Sequence, residues 1–335
     1  MTTITKTTHA PYRFETVGSF LRPEVLVEAR ARFRQGEITK EELTIVEDKA
    51  IIDLIKKQEE VGLKSIPDGE FRRSWWHLDF FWGLNGIEKT VPNKEASSTE
   101  KETPVAAATL AGKLSGENHP FIDHFKFVKA HISNESEVKQ TIPAPAQLIL
   151  ELISTRNIES VKKHYGTIEA LIEGVAGAYN QVLREFYDAG ARVIQLDDCS
   201  WISIIDDDHV FLDDQELDDA KLEEIKDYFV TANNKAIEGL PEDFVINTHV
   251  CRGNFQSIWF GSGGYDNIAS PLFDEENVDA YFLEYDSDRA GGFGPLAKVT
   301  DGKKVVLGLV TTKTGELKTV TILLDELKKQ HSMSH

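Results

Sequence analysis

Short apolar runs, each ending in a polar or acidic residue, recur along this chain between stretches of helical periodicity, and this alternation constrains the fold more than any other feature. Runs at 17–20, 63–66, 141–145, 192–196, 244–250, 280–285 and 304–310 have strand length. Between them, 24–35, 39–61, 168–189, 214–239 and 318–330 carry apolar residues every third or fourth position. In 39–61 these are Leu43, Val46, Ala50, Ile51, Leu54, Ile55 and Gln58, and Gly62 closes the helix. Strand and helix in alternation make parallel βαβ units. Polar residues just past each strand predict a (β/α)8 TIM-type barrel with its site on the C-terminal face. A single barrel domain over residues 1–335 is expected.

That barrel takes eight strands. The runs supply all but the last, so the reading is a barrel apparently lacking its eighth strand. Residues 72–140 break the pattern and are read as an irregular excursion between strands 2 and 3. Within it, 93–104 is polar and 125–132 is expected as an isolated strand.

Composition sets the class of partner. Hydrophobic residues at 41% are enough to bury a core, and 37 Lys+Arg against 56 Asp+Glu give a net charge of -19. Such a chain repels phosphate backbones and anionic lipid, so neither nucleic acid nor membrane is expected as a partner. No apolar segment has the length of a bilayer span, and the N-terminus lacks the apolar middle of a signal peptide. With Cys199 and Cys251 as its two cysteines, far apart in sequence, the chain has no disulfide framework and is expected in the reducing cytoplasm. A cysteine that matters here is expected to matter as a thiolate.

Asn247-Thr-His249-Val-Cys251-Arg252 closes a predicted strand. Side chains two apart on a strand share a face, so His249 and Cys251 can offer nitrogen and sulfur to one ion, and zinc suits that pair. Glu284, at the end of the next strand, would add a third ligand and leave a fourth position for substrate; the plainer reading pairs it with Arg289. Asp68-Gly-Glu70-Phe-Arg-Arg73 and Asp197-Asp198-Cys199 place further carboxylates at strand ends, fit to bind an ammonium group or to act as acid and base. The plainer readings are a Glu70 pair with Arg72 or Arg73 and a helix-capping role for Asp197 or Asp198. Trp75, Trp76, Phe80, Phe81 and Trp82 can wall a pocket or fill the core beneath the excursion. The acidic residues at 206–208 and 213–219 read as a solvated face, and the glycine runs at 261–264 and 291–294 as turns.

Taken in order, Val17-Gly-Ser-Phe20, Asp68-Gly-Glu-Phe-Arg72, Ile194-Gln-Leu-Asp-Asp198, Thr248-His-Val-Cys251 and Leu283-Glu284 resemble the motifs of the catalytic half of cobalamin-independent methionine synthase. The stretch from Asp68 to Phe80 is closest to the short single-barrel bacterial homologues of that family. The resemblance implies a zinc-dependent methyl transfer, from 5-methyltetrahydrofolate or another donor to the thiol of homocysteine or a similar small thiol. It implies His249, Cys251 and Glu284 as zinc ligands, Glu70 and Asp197 as the carboxylates holding the acceptor's amino group, and Ser19 in the loop that receives its carboxylate. The family's second zinc Cys belongs to a last strand with no counterpart here, and 309–314 has no His where the larger enzymes carry a catalytic one. Cys199 is then a substitute ligand to consider. Two other expectations stand beside the first: a truncated, catalytically silent relative acting as a binding protein, and a metal-free hydrolase or lyase using Glu70 and Asp197.

Overall fold

The structure, a computed structural model, describes residues 10–90, 106–206, 209, 212, 217–254 and 257–333. Its helices are α1 (Glu24–Arg34), α2 (Lys40–Glu60), α3 (Leu78–Phe81), α4 (Phe121–Lys129), α5 (Pro145–Leu152), α6 (Ile158–His164), α7 (Ile168–Asp188), α8 (Ile202–Ile205), α9 (Asp219–Ile237) and α10 (Val320–Met333). The strands are β1 (Ser65–Ile66), β2 (Asn85–Thr90), β3 (Ala107–Ser115), β4 (Glu137–Val138), β5 (Gln140–Pro143), β6 (Val193–Asp198), β7 (Val245–Val250), β8 (Ala280–Glu284) and β9 (Lys304–Gly308). The polar stretch 93–104 and the acidic residues Asp207, Asp208, Asp213 and Asp214 lie outside the described residues.

Strands β5 to β9 form one parallel sheet in chain order, and β1 pairs in parallel with β4. Only Lys139 separates β4 from β5, and its N–H donates to the Ile66 carbonyl, so β1 in effect continues the order on the β5 side. The sheet also curls. Lys139 lies over the Phe282 ring at 4.8 Å although β6 and β7 stand between their strands. Inside the curl Lys139 Nζ meets Glu15 Oε2 at 2.8 Å, with both side chains fully buried. Ala10 packs on Val193 and Val245 at the N-terminal ends of β6 and β7, closing the bottom of the curl. Among the described residues the ladder stays open, with β8 the one strand paired to β9.

Local chemistry fixes the surrounding helices. Thr39 and Glu42 make a reciprocal capping box at the start of α2, and Thr167 and Asp218 cap α7 and α9. Helix α7 buries Leu171, Val175, Ala178, Val182 and Phe186 on one face, which packs on β3 and α9. Strands β6 and β7 are buried along their whole length, as a parallel sheet covered by helices requires.

The structure corrects several expectations. Residues 17–20 are not a strand: Gly18 takes φ +72°, which breaks the extended run, and Phe20 N–H reaches the Gly69 carbonyl instead. The expected strand at 125–132 is largely α4, because Phe121, Ile122, Phe125 and Val128 recur at helical spacing and all are buried. Within the described part of the excursion, β2 and β3 pair antiparallel. Phe80 and Phe81 are fully buried core, whereas Trp75 stays exposed. Asp206 is also buried and accepts from Ser262 N–H at 2.7 Å. The two glycine runs meet: a Cβ on Gly291 would stand 2.9 Å from Gly264 Cα, so close backbone approach explains them.

Candidate metal centre and the carboxylates beside it

The β6–β7 register sets Asp197 beside His249, and the β7–β8 register sets His249 beside Phe282. Alternation along the strands therefore brings the side chains of Asp197, His249, Cys251 and Glu284 to one end of the sheet, facing inward. One ligand atom from each of His249, Cys251 and Glu284 lies within 4.8 Å of the other two. Cys199 is not part of that group. Bonds of about 2.0–2.3 Å to a central zinc would draw three such atoms together by modest side-chain rotation. The imidazole is preset for this: Nδ1 lies 3.0 Å from the Phe282 carbonyl, which leaves Nε2 for the cluster.

The electrostatics point the same way. Burial opposes charge on His249, but the hydrogen bond and charge of Cys251, with Asp197 and Glu284, outweigh it and raise the imidazole to about 9. Cys251 is lowered to about 5, first by the hydrogen bond from the Cys199 thiol and then, against burial, by His249. A proton is thus held among anionic donors, where a cation would satisfy the same field.

Glu284 is strongly braced. Arg289 Nη2 and Lys313 Nζ reach its Oε2 at 2.9 and 3.1 Å, and Arg252 N–H donates to Oε1 at 3.0 Å. Burial raises its pKa, but His249 and Lys313 more than compensate and hold the carboxyl below its ordinary value. The same two cations contact Asp286. Tyr265 OH receives the Glu284 N–H at 2.9 Å, fixing the strand end. The expected pair with Arg289 therefore exists alongside the ligand geometry.

Asp197 is treated in the opposite way. It is 5% exposed, accepts from Gln195 Nε2 at 2.6 Å, and is raised to about 7 by burial, with Glu70 adding to the rise. Glu70 is buried too, on a left-handed turn: Gly69 has φ +68° and Glu70 φ +61°, a conformation that is costly for a residue with a Cβ. Asp68 Oδ1 holds the turn by accepting the Glu70 N–H at 2.8 Å. Ser19 Oγ donates to Glu70 Oε2 at 2.5 Å, and Arg73 Nη1 lies 3.4 Å from Oε1. Asp198 does cap the following turn, receiving the Ser200 N–H at 3.1 Å, and it also binds Asn233. The six residues to which the family resemblance gives roles fall in two adjoining groups, joined by the influence of Asp197 on His249.

Three supporting side chains went unnoticed in the sequence. Lys313 follows the end of β9, the same kind of position that marks the other groups. Thr141, whose Oγ1 receives Arg73 Nη2 at 2.9 Å, sits inside a strand, and Tyr265 reaches in from a loop with no local pattern.

Comparison with known proteins identifies the family of the chain. Residues 14–334 match the family described as cobalamin-independent synthase, catalytic domain. An uncharacterised protein of Bacillus subtilis, YxjH, is 38% identical over 314 residues, covering 92% of this chain and 80% of that protein. A 5-methyltetrahydropteroyltriglutamate–homocysteine methyltransferase of Thermotoga petrophila is 24% identical over 245 residues, covering 72% of this chain and 30% of that one. The crystal structure of a putative vitamin-B12 independent methionine synthase from Listeria monocytogenes superposes with a TM-score of 0.75 at 32% identity, over 97% of this chain and 87% of that chain. Family match and structural likeness agree, and the chain belongs to the cobalamin-independent methionine synthase catalytic-domain family.

Proposed function

We propose that this protein is a zinc-dependent S-methyltransferase that moves a methyl group from a 5-methyltetrahydrofolate or related donor to the thiol of homocysteine or a similar small thiol. The observation that carries the reading is the adjacency of a His–Cys–Glu group to a second pair of buried carboxylates. Zinc, when bound, would supply the charge that turns a thiol into a thiolate at neutral pH. His249, Cys251 and Glu284 would hold it, with His249 oriented by the Phe282 carbonyl.

The chain's other residues would bind and orient the acceptor. Asp197 and Glu70 lie buried where an ammonium group would satisfy both, and a cation there would draw Asp197 back toward its ionised form. Ser19 fixes Glu70, and its loop would receive the acceptor carboxylate. An amino thiol so held would present its sulfur toward the His–Cys–Glu group.

Metal analysis of protein purified without added metal, followed by homocysteine titration, tests this. Bound zinc at one equivalent and saturable thiol binding are expected; absence of zinc binding before and after homocysteine addition would remove the mechanism. One observation favours a second reading. Asp197 at about 7 beside Glu70 is suited to acid–base exchange in a metal-free hydrolase or lyase. Activity that survives complete chelation would select it.

A further inference from the structure

Cys199 has no part in the proposed transfer. It lies one residue past the end of β6, and the register that pairs Asp197 with His249 and Asp198 with Val250, carried one step further, sets it beside Cys251. Neighbouring positions on paired strands stand roughly 5 Å apart at Cα, inside the window of about 4.4–6.8 Å that a disulfide needs. Each thiol is the neighbour that most alters the other's acidity, Cys199 being raised and Cys251 lowered, and neither is sealed in the core. They are the chain's two cysteines, so each is the other's intramolecular partner. Distance along the chain thus argued against a disulfide, yet the strand register removes that distance.

We propose that Cys199 is the resolving thiol for Cys251, and that a hydroperoxide closes the pair into a reversible disulfide that withdraws Cys251 from metal binding. The Cys251 sulfur attacks one peroxide oxygen; the O–O bond breaks, giving a sulfenic acid and a water. The Cys199 sulfur then attacks the sulfenyl sulfur. The S–S bond forms as the S–O bond breaks, and the hydroxyl leaves as a second water with the Cys199 proton. Two thiols are oxidised by two electrons and one hydrogen peroxide is reduced to two waters. A dithiol reverses the step by exchange. In a reducing compartment such a bond is transient, as redox-sensing disulfides are.

The loss of metal rests on the ligand assignment above, whereas the disulfide itself does not. The test uses the whole chain, stripped with chelator, desalted and treated with hydrogen peroxide, then mapped as peptides without reduction. We expect both thiols to disappear together, one linked peptide pair holding Cys199 and Cys251, and recovery of both thiols with dithiothreitol. In Cys199→Ser the link is absent and Cys251 is trapped by a sulfenic-acid reagent. Oxidation of each cysteine separately, or links only between molecules, would overturn the proposal. A second arm preloads zinc: at least several-fold slower thiol loss and metal release on oxidation are expected. A linked peptide formed at the same rate with and without zinc supports the pair while counting against Cys251 as a ligand, so the two failures are distinct.

Discussion

Glu284 and Asp197 are buried carboxylates in one site, and the fold treats them oppositely. Glu284 is contacted by Arg289 and Lys313 and held below its ordinary value; Asp197 has a neutral glutamine donor and a carboxylate neighbour and is pushed up to about 7. A carboxylate kept ionised by fixed cations is ready to serve as a metal ligand at any physiological pH. One left short of positive charge has a use for a cationic ligand. The contrast separates a permanent half of the site, which under the proposed function holds metal, from a half completed only by the acceptor.

The largest effect should come from the permanent half. Cys251→Ser is expected to lower zinc affinity by at least about 100-fold, read as metal retained after gel filtration, since even outer partners of metal ligands are worth 10–100-fold. Unchanged metal content would show that this half does not hold the metal through Cys251. Zinc uptake by the wild type at pH 7 should release a proton, because His249 at about 9 is protonated beforehand, and affinity should climb as pH approaches 9. Calorimetry in buffers of different ionisation enthalpy reads both.

Asp197→Asn should leave zinc in place and weaken homocysteine by roughly 2 kcal/mol, about 30-fold, the value of a charged hydrogen bond. A thiol acid lacking the amino group should bind both proteins alike. If the variant loses zinc instead, the two halves are one. The same residue gives a pH signature: wild-type affinity for the amino thiol should gain about tenfold between pH 6 and 8 relative to the variant, as Asp197 ionises. Stability runs the other way. A folded carboxyl raised above its unfolded value is stabilising when protonated, so its contribution is full below the unfolded pKa and lost as pH rises through about 7. Thermal melts should accordingly show Asp197→Asn gaining on the wild type toward pH 8. The smallest effect is Ser19→Ala, where loss of one bond to Glu70 should cost about 1 kcal/mol in acceptor binding with zinc content unchanged.

Much of this site was legible because it sits at strand ends. Period-two alternation places His249 and Cys251 on one face from sequence alone, and β6, β7 and β8 fall within a residue or two of their apolar runs. The errors have identifiable physical causes. Residues 17–20 look like a strand until Gly18 adopts a left-handed turn, and Phe125 with its apolar neighbours fits strand or helix until Phe121 and Ile122 are counted with it. Tyr265 and the bracing of Glu284 by Lys313 depend on loops meeting in space, which no local periodicity encodes. The contact between Cys199 and Cys251 was concealed by sequence distance alone, since strand register supplies it.

Under the proposed function one site holds a metal and brings an amino thiol onto it. Replacing zinc with cobalt(II) and following the sulfur-to-metal charge-transfer absorption during a homocysteine titration tests it directly. A cobalt–thiolate band from Cys251 is expected in the free protein, growing and saturating at one equivalent of homocysteine, with saturation shifted to higher concentration in Asp197→Asn. Homocysteine binding that calorimetry detects but that leaves the cobalt spectrum unchanged would contradict it.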